Sequence, residues 1–172
     1  MRSVAGAEWP SPPLAGRGAR GGEVNLDPGT GVELKGWFAL GPNGTARWGT
    51  NVISAVIPDG LSPVGSLLKA EFNALPGTDE AMLSNGDSGG GLFVNDGGIW
   101  KLAGINYAID GNFNSSPSDL GSFSAALFDK GGFFEGSGSS WNFNPYQTAD
   151  TPSSFYSSQI SAYAGTINSI IG

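Results

Sequence analysis

The sequence contains no cysteine and no histidine, and only 13% of its 172 residues are charged. Without cysteine there is no disulfide, no thiolate nucleophile and no zinc–sulfur site. Without histidine the commonest general base and the commonest transition-metal ligand are both missing. Long apolar runs are scarce as well, so no segment has the length of a membrane span. The first residues offer Arg2 but then Glu8, Trp9 and three prolines where a signal peptide needs an apolar stretch. The chain as it stands therefore carries no export signal, and one belonging to an exported protein would lie outside it.

Glycine and proline are abundant, at 29 and 11 residues, with no collagen-like glycine period. The apolar 39% includes many Val, Ile, Phe and Trp residues, so the composition describes turn-rich β structure and not a helical bundle. The length suits one domain, or part of a larger enzyme, and can bury about two-thirds of its unfolded surface. Eight Lys and Arg against fifteen Asp and Glu give a net charge of −7. Three of the bases, Arg2, Arg17 and Arg20, fall in the first twenty residues; from Gly21 onward five basic residues face fourteen acidic ones. A surface of that sign repels phosphate backbones, and nucleic acid is not an expected partner outside the short basic head.

Residues 1–31, rich in Gly, Pro and Ala, read as a flexible leader or linker that adds no core element, so the folded part is expected over 32–172. Strands are expected at Glu33 to Leu40, Thr45 to Ile57 and Val64 to Phe72, with turn chemistry at Gly41-Pro42-Asn43-Gly44 and Pro58-Asp59-Gly60 between them. Gly90 to Asn95 and Ile99 to Ile109 flank Asp96-Gly97-Gly98, which suits a tight hairpin. Ser122 to Phe128 is a further strand. Gly131 to Thr151 reads as one long loop, pinned to the body by Phe133, Phe134, Trp141, Phe143 and Tyr146. Ile160, Tyr163, Ala164, Ile167, Ile170 and Ile171 then fall at spacings of three and four, predicting a terminal helix over 157–171 with Ser157 or Ser158 as N-cap.

The stretch that carries chemistry is Ser84-Asn85-Gly86-Asp87-Ser88-Gly89-Gly90-Gly91-Leu92-Phe93. A serine hydroxyl is a useful acyl-transfer nucleophile only where the backbone around it is open and neighbouring amides converge on the developing oxyanion. Gly86 permits the backbone conformation that aims its N–H inward, Ser88 contributes its own N–H, and Gly89 and Gly90 clear space for substrate. Asp87 is placed to be buried as the anchor of the loop. In a chain this rich in glycine a bare Gly-Asp-Ser-Gly-Gly is a turn as readily as a nucleophile loop, and its flanks decide between them. It runs directly into an apolar strand, a hairpin, and then Trp100-Lys101-Leu102-Ala103-Gly104-Ile105-Asn106-Tyr107.

With Gly86 to Gly90, the strand at Leu102 to Ile105, Ser154-Phe155-Tyr156 ahead of the terminal helix, and Arg47-Trp48-Gly49-Thr50-Asn51, the sequence resembles the chymotrypsin-like (trypsin-like) serine peptidases, in particular their bacterial, cysteine-poor members. The resemblance covers only the second of that family's two β-barrels, from about Val32 to Gly172. It implies an all-β fold: an antiparallel six-stranded barrel with a C-terminal α-helix. It makes Ser88 the nucleophile, Gly86 and Ser88 the oxyanion-hole donors and Asp87 the carboxylate that holds the loop. Met82 stands six residues before the nucleophile, where trypsins carry an aspartate, and the resemblance puts it with Asn106 and Tyr107 at the substrate, arguing against a preference for Arg or Lys. It further implies a polypeptide substrate, no cofactor or metal, and a secreted or periplasmic setting.

In the family the histidine base and its aspartate come from the first barrel, so Ser88 is a nucleophile without an activator in this chain. The partner implied is a barrel bearing that His and Asp, and the chain alone is expected to be inactive. A Ser–Lys dyad would call on Lys69 or Lys101, but Lys101 falls at an outward strand position. A nucleophile elbow of the α/β-hydrolase kind needs a helix after the serine and a later histidine, and neither is present. The competing expectation is a non-catalytic barrel retained as a binding or structural module. The five tryptophans, Trp9, Trp37, Trp48, Trp100 and Trp141, are expected as core and loop anchors rather than a ligand platform, and Asp110-Gly111-Asn112 and Asn95-Asp96-Gly97 as turns rather than calcium loops. A lone barrel built to pack on a twin would expose an apolar face and self-associate.

Overall fold

A computed structural model describes residues 13–62, 64–73 and 80–172. The elements run β1 (Pro13–Gly16), β2 (Ala19–Leu26), β3 (Glu33–Leu40), β4 (Arg47–Thr50), β5 (Ile53–Ile57), β6 (Leu67–Glu71), β7 (Gly91–Asp96), β8 (Ile99–Ile109), β9 (Asn112–Asn114), β10 (Ala125–Leu127), β11 (Phe134–Ser137), β12 (Ser140–Phe143) and β13 (Ser154–Gln159). A 3₁₀ turn at Ile160–Tyr163 leads into α1 (Ala164–Ile171). The protein is all-β with a short C-terminal helix, and its strands pair antiparallel throughout.

The main sheet has the order β4-β1-β7-β8-β13-β6-β5. Its two outer members, β4 and β5, are one extended run of chain interrupted only at Asn51 and Val52, so the first and last strands adjoin and the sheet must curl round on itself. Asn51 makes that corner: its buried amide donates to the carbonyls of Glu71 and Ala81 at 2.9 Å each, and its Oδ1 accepts from Val52 N. The expected single strand over Thr45 to Ile57 is thus two, bent where a side chain replaces ladder hydrogen bonds. Leu68, Ala70, Leu83, Leu92 and Phe155 fill the interior. The β7–β8 hairpin turns on Gly97 (φ 61°) and Gly98 (φ 90°), with Asp96 paired to Ile99; two successive left-handed residues match the twist of the flanking strands.

Two insertions build a second lobe. Residues 19–40 leave the barrel between β1 and β4, and residues 111–151 leave it between β8 and β13; they form the sheets β10-β3-β2 and β12-β11-β9. Val24, Phe113, Ala125, Leu127 and Phe133 make their shared core. The reading of residues 1–31 as a leader that adds no core element is therefore corrected for 13–31: Pro13–Gly16 joins the barrel and Val24 is buried. That leader's first twelve residues, Trp9 among them, lie outside the described residues. Few large apolar residues hid this, because β2 buries one side chain and takes the rest of its support from the ladder to β3.

Two further expectations change. The loop over Gly131 to Thr151 contains the β11–β12 hairpin, closed by Phe134 against Phe143 at 5.0 Å. The helix starts at Ala164, not near Ser157, because β13 runs on to Gln159 between β6 and β8. Ser157 is fully buried and donates its hydroxyl to Asn106 Oδ1 instead of capping a helix. Among the described residues no helix is long and apolar enough to cross a membrane.

Candidate functional site

The Ser84–Gly90 loop enters from buried Leu83 and leaves into β7, and both ends are tied down by backbone pairing. Asp87 N donates to Ser84 O at 3.0 Å and Gly90 N to Asp87 O at 3.1 Å, folding two successive turns. Gly89 N donates to Asn106 O at 2.9 Å while Asn106 N donates to Gly90 O at 2.8 Å, clamping the loop's exit to β8. Between these fixed points Ser88 stands exposed. Every loop amide from Asp87 onward except that of Ser88 is used, and among the described residues neither Gly86 N nor Ser88 N donates to a protein acceptor. The two amides of the sequence motif are thus free to bind an anion outside the protein.

Asp87 is only 7% exposed. Its Oδ1 accepts from Arg17 N at 2.5 Å and Gly18 N at 2.6 Å, and its Oδ2 from Ser84 N at 2.8 Å. Three charge-assisted bonds to backbone N–H groups compensate a buried carboxylate and hold the loop from behind. The cradle is Gly16-Arg17-Gly18, and it depends on both glycines being bare. A Cβ on Gly16 would stand 2.0 Å from Asp87 Oδ1, and one on Gly18 would stand 2.4 Å from Ser84 Cβ. Sequence reasoning passed over this cradle, since a separation of 70 positions between Arg17 and Asp87 leaves no local signal that Gly-Arg-Gly is a carboxylate receptor. In front, Pro42 packs on Gly86, whose φ of 96° and bare Cα leave no room for a side chain.

The residues expected at the substrate part company. Tyr107 is exposed on β8, one residue beyond the clamp at Asn106. Asn106 is 2% exposed, and its side chain accepts from the buried Ser157 hydroxyl, so it faces the interior. Met82 packs against the barrel core and lines a cavity of about 600 Å³ together with Ser84 and Asp87, but Gly86 and Ser88 are not in its wall.

No lysine is available as a base. Lys69 pairs with Glu71 at 2.7 Å and Lys101 with Asp96. Burial alone would lower Lys35 and Lys130, but Asp129 and Glu33 around the first, and Asp110 and Glu135 around the second, hold both above the ordinary lysine value. Among the described residues no group of three or more acidic side chains could hold a metal ion. The two turn sequences are internally satisfied: Asn95 Oδ1 accepts from Gly98 N, and Asp110 accepts from Ser154 N and the Tyr156 hydroxyl. Trp37 and Trp141 are anchored, the first against Phe72 and Phe128 and the second by its Nε1 donating to Gly138 O, whereas Trp48 is 76% exposed. Compared with family models, with curated proteins and with solved structures, the chain matches none.

Proposed function

We propose that this chain is the nucleophile-bearing half of a trypsin-like serine endopeptidase, acting by an acyl-enzyme at Ser88 once a second barrel supplies histidine and aspartate. The observation that carries the reading is the loop geometry: an exposed Ser88 between held turns, with the Gly86 and Ser88 amides unengaged and Asp87 locked behind them. In that reaction Ser88 Oγ attacks the scissile carbonyl as its proton passes to the partner's imidazole. The carbonyl oxygen takes up the negative charge between the two free amides, and collapse expels the amine and leaves an ester on Ser88 that water hydrolyses. Asp87 is no substitute base, since both of its oxygens already accept N–H groups. A secreted or periplasmic setting goes with the reading.

The second reading, a non-catalytic barrel kept for binding, is favoured by the zero histidine count and by the pairing of all four lysines. Labelling with a fluorophosphonate separates the two. The chain alone should stay unlabelled; mixed with a histidine-bearing partner barrel it should label at Ser88, and Ser88→Ala should abolish both label and peptide hydrolysis. Restored hydrolysis that survives Ser88→Ala overturns the assignment, and a partner bound equally by both forms without any labelling establishes the binding module.

A further inference from the structure

The cavity of about 600 Å³ lies at the junction of barrel and lobe, with Trp37, Phe72 and Phe128 on one side and Trp48 and Met82 among its other walls. That volume is in the usual range for a small-ligand site, and aromatic walls with a few polar groups are the usual lining. Four ionisable side chains reach it among the described residues: Arg20, Arg47, Glu80 and Asp87. The two acids are satisfied within the fold, and Arg47 is tied down through one nitrogen. Asp87 is held by three N–H groups, Glu80 accepts from the Asn73 backbone N–H at 2.9 Å and from its Nδ2 at 3.3 Å, and Arg47 Nη1 donates to Gly18 O, Asn43 Oδ1 and Thr45 O.

Arg20 is different. Its guanidinium lies 4.5 Å from the Trp37 ring centroid and, among the described residues, donates to no protein acceptor. In a chain of net charge −7, an arginine at an aromatic cavity with no acidic partner among the described residues leaves a planar donor fork pre-positioned by stacking. We propose that this cavity binds an apolar or aromatic carboxylate, its ring or alkyl group against Trp37, Phe72 and Phe128 and its carboxylate on the Arg20 fork. The ligand chemistry is shared by a free aryl- or alkyl-carboxylic acid and by the C-terminal residue of a peptide. Ser88 is not in the cavity wall, although Met82, Ser84 and Asp87 are, and the proposal does not require the peptidase reading.

The test is titration of the full chain with N-acetylphenylalanine, with its uncharged amide, and with a tripeptide ending in phenylalanine, read by calorimetry and by tryptophan fluorescence. The acid should bind about tenfold more tightly than the amide, as expected for a bidentate arginine–carboxylate pair, and should weaken as salt is raised. Arg20→Ala should erase the preference for acid over amide, Arg20→Lys should keep part of it, and Ser88→Ala should leave it unchanged. Binding of the free acid assigns a small-molecule site, and binding of the tripeptide alone assigns a peptide C-terminus. The proposal is overturned if neither binds, if acid and amide bind alike, or if Arg20→Ala with an unchanged circular dichroism spectrum keeps the preference.

Discussion

The barrel and the lobe solve the same burial problem with different materials. In the barrel, β6, β7, β8 and β13 are strands of five residues or more, paired in ladders that shift register only at Leu92/Phe93 and Tyr156/Ser157, and the interior is aliphatic apart from Phe155. In the lobe, only the β2–β3 pair is long, at eight residues each, while β9 and β10 have three residues each and β11 and β12 four. Strands that short cannot be held by ladders alone, and there the core is a stack of rings: Phe38 on Phe123 at 5.0 Å, Phe123 on Phe133 at 5.7 Å, Phe113 on Phe123 at 6.4 Å. The lobe also buries an ion pair, Lys35 to Asp129 at 2.5 Å, whose carboxylate accepts from Gly131 N and Thr151 as well. Long strands stabilise through repeated pairing. Short ones lean on individual large contacts, each of which matters more.

Truncating the two largest core rings tests this most severely. Phe155→Ala and Phe113→Ala should each cost about 3–5 kcal/mol in chemical denaturation. Hydrogen exchange should separate them: Phe155→Ala should loosen amides throughout the β8–β13–β6 ladder, whereas Phe113→Ala should loosen β9, β10 and β11 while β7 and β8 keep their protection. Uniform loss in both variants would show that the two regions unfold as one unit.

Next in size is the lobe's buried pair. Lys35→Met should destabilise by about 3 kcal/mol because it strands the Asp129 carboxylate, and adding Asp129→Asn should recover part of that loss. A fully additive double variant would mean that the two groups do not depend on each other. Gly18→Ala, which drives a Cβ into Ser84 and Asp87, should cost about 1–3 kcal/mol and shift the amide resonances of Ser84–Gly90 before those of the lobe. Unchanged loop resonances would remove the cradle from the account of the site.

The smallest effect lies at the seam, where Asp110 on the barrel side joins Lys130 and Glu135 of the lobe and accepts from the Tyr156 hydroxyl. Burial, reinforced by the Asp110 charge, pushes the Tyr156 phenol up to about 12. The folded state keeps this proton when an unfolded chain would lose it, so the stability it contributes is present below pH 10 and is lost as pH rises from about 10 to about 12. Tyrosinate absorbance, with Tyr156→Phe as the difference reference, should show Tyr156 titrating well above the ordinary tyrosine value, and Asp110→Asn should bring it down. A Tyr156 that ionises near pH 10, the ordinary tyrosine value, would detach the seam from the fold's pH response.

The barrel was far more legible than the lobe. In the barrel, Ile99–Ile109 begins and ends where its β-branched and aromatic run does, and Gly97-Gly98 turns as that dipeptide must; of the lobe's strands, Glu33–Leu40 was equally plain. β2 and the β11–β12 hairpin were hidden because their residues are glycine, polar groups and isolated rings, whose pairing depends on partners far along the chain. The terminal stripe of isoleucines correctly announced a helix, yet α1 buries none of its residues, and Ile170 is 78% exposed. Periodicity specifies which face is apolar without specifying what covers it.

By itself, then, the sequence determined that the protein is β-rich and acidic, that it has neither thiol nor imidazole chemistry, and that the Ser88 hydroxyl is set among glycines. Those conclusions rest on side-chain inventory and local backbone freedom, which are properties of residues and their immediate neighbours. Tertiary structure alone decided that Asp87 would be received by Gly16-Arg17-Gly18, that Asn106 would turn inward to Ser157, and that Arg20 would stand beside an aromatic cavity without an acid among the described residues. Each of these is a contact between segments tens of residues apart, or the want of one. Such contacts are set by how the curled sheet and its two insertions close on each other, and no local pattern encodes them.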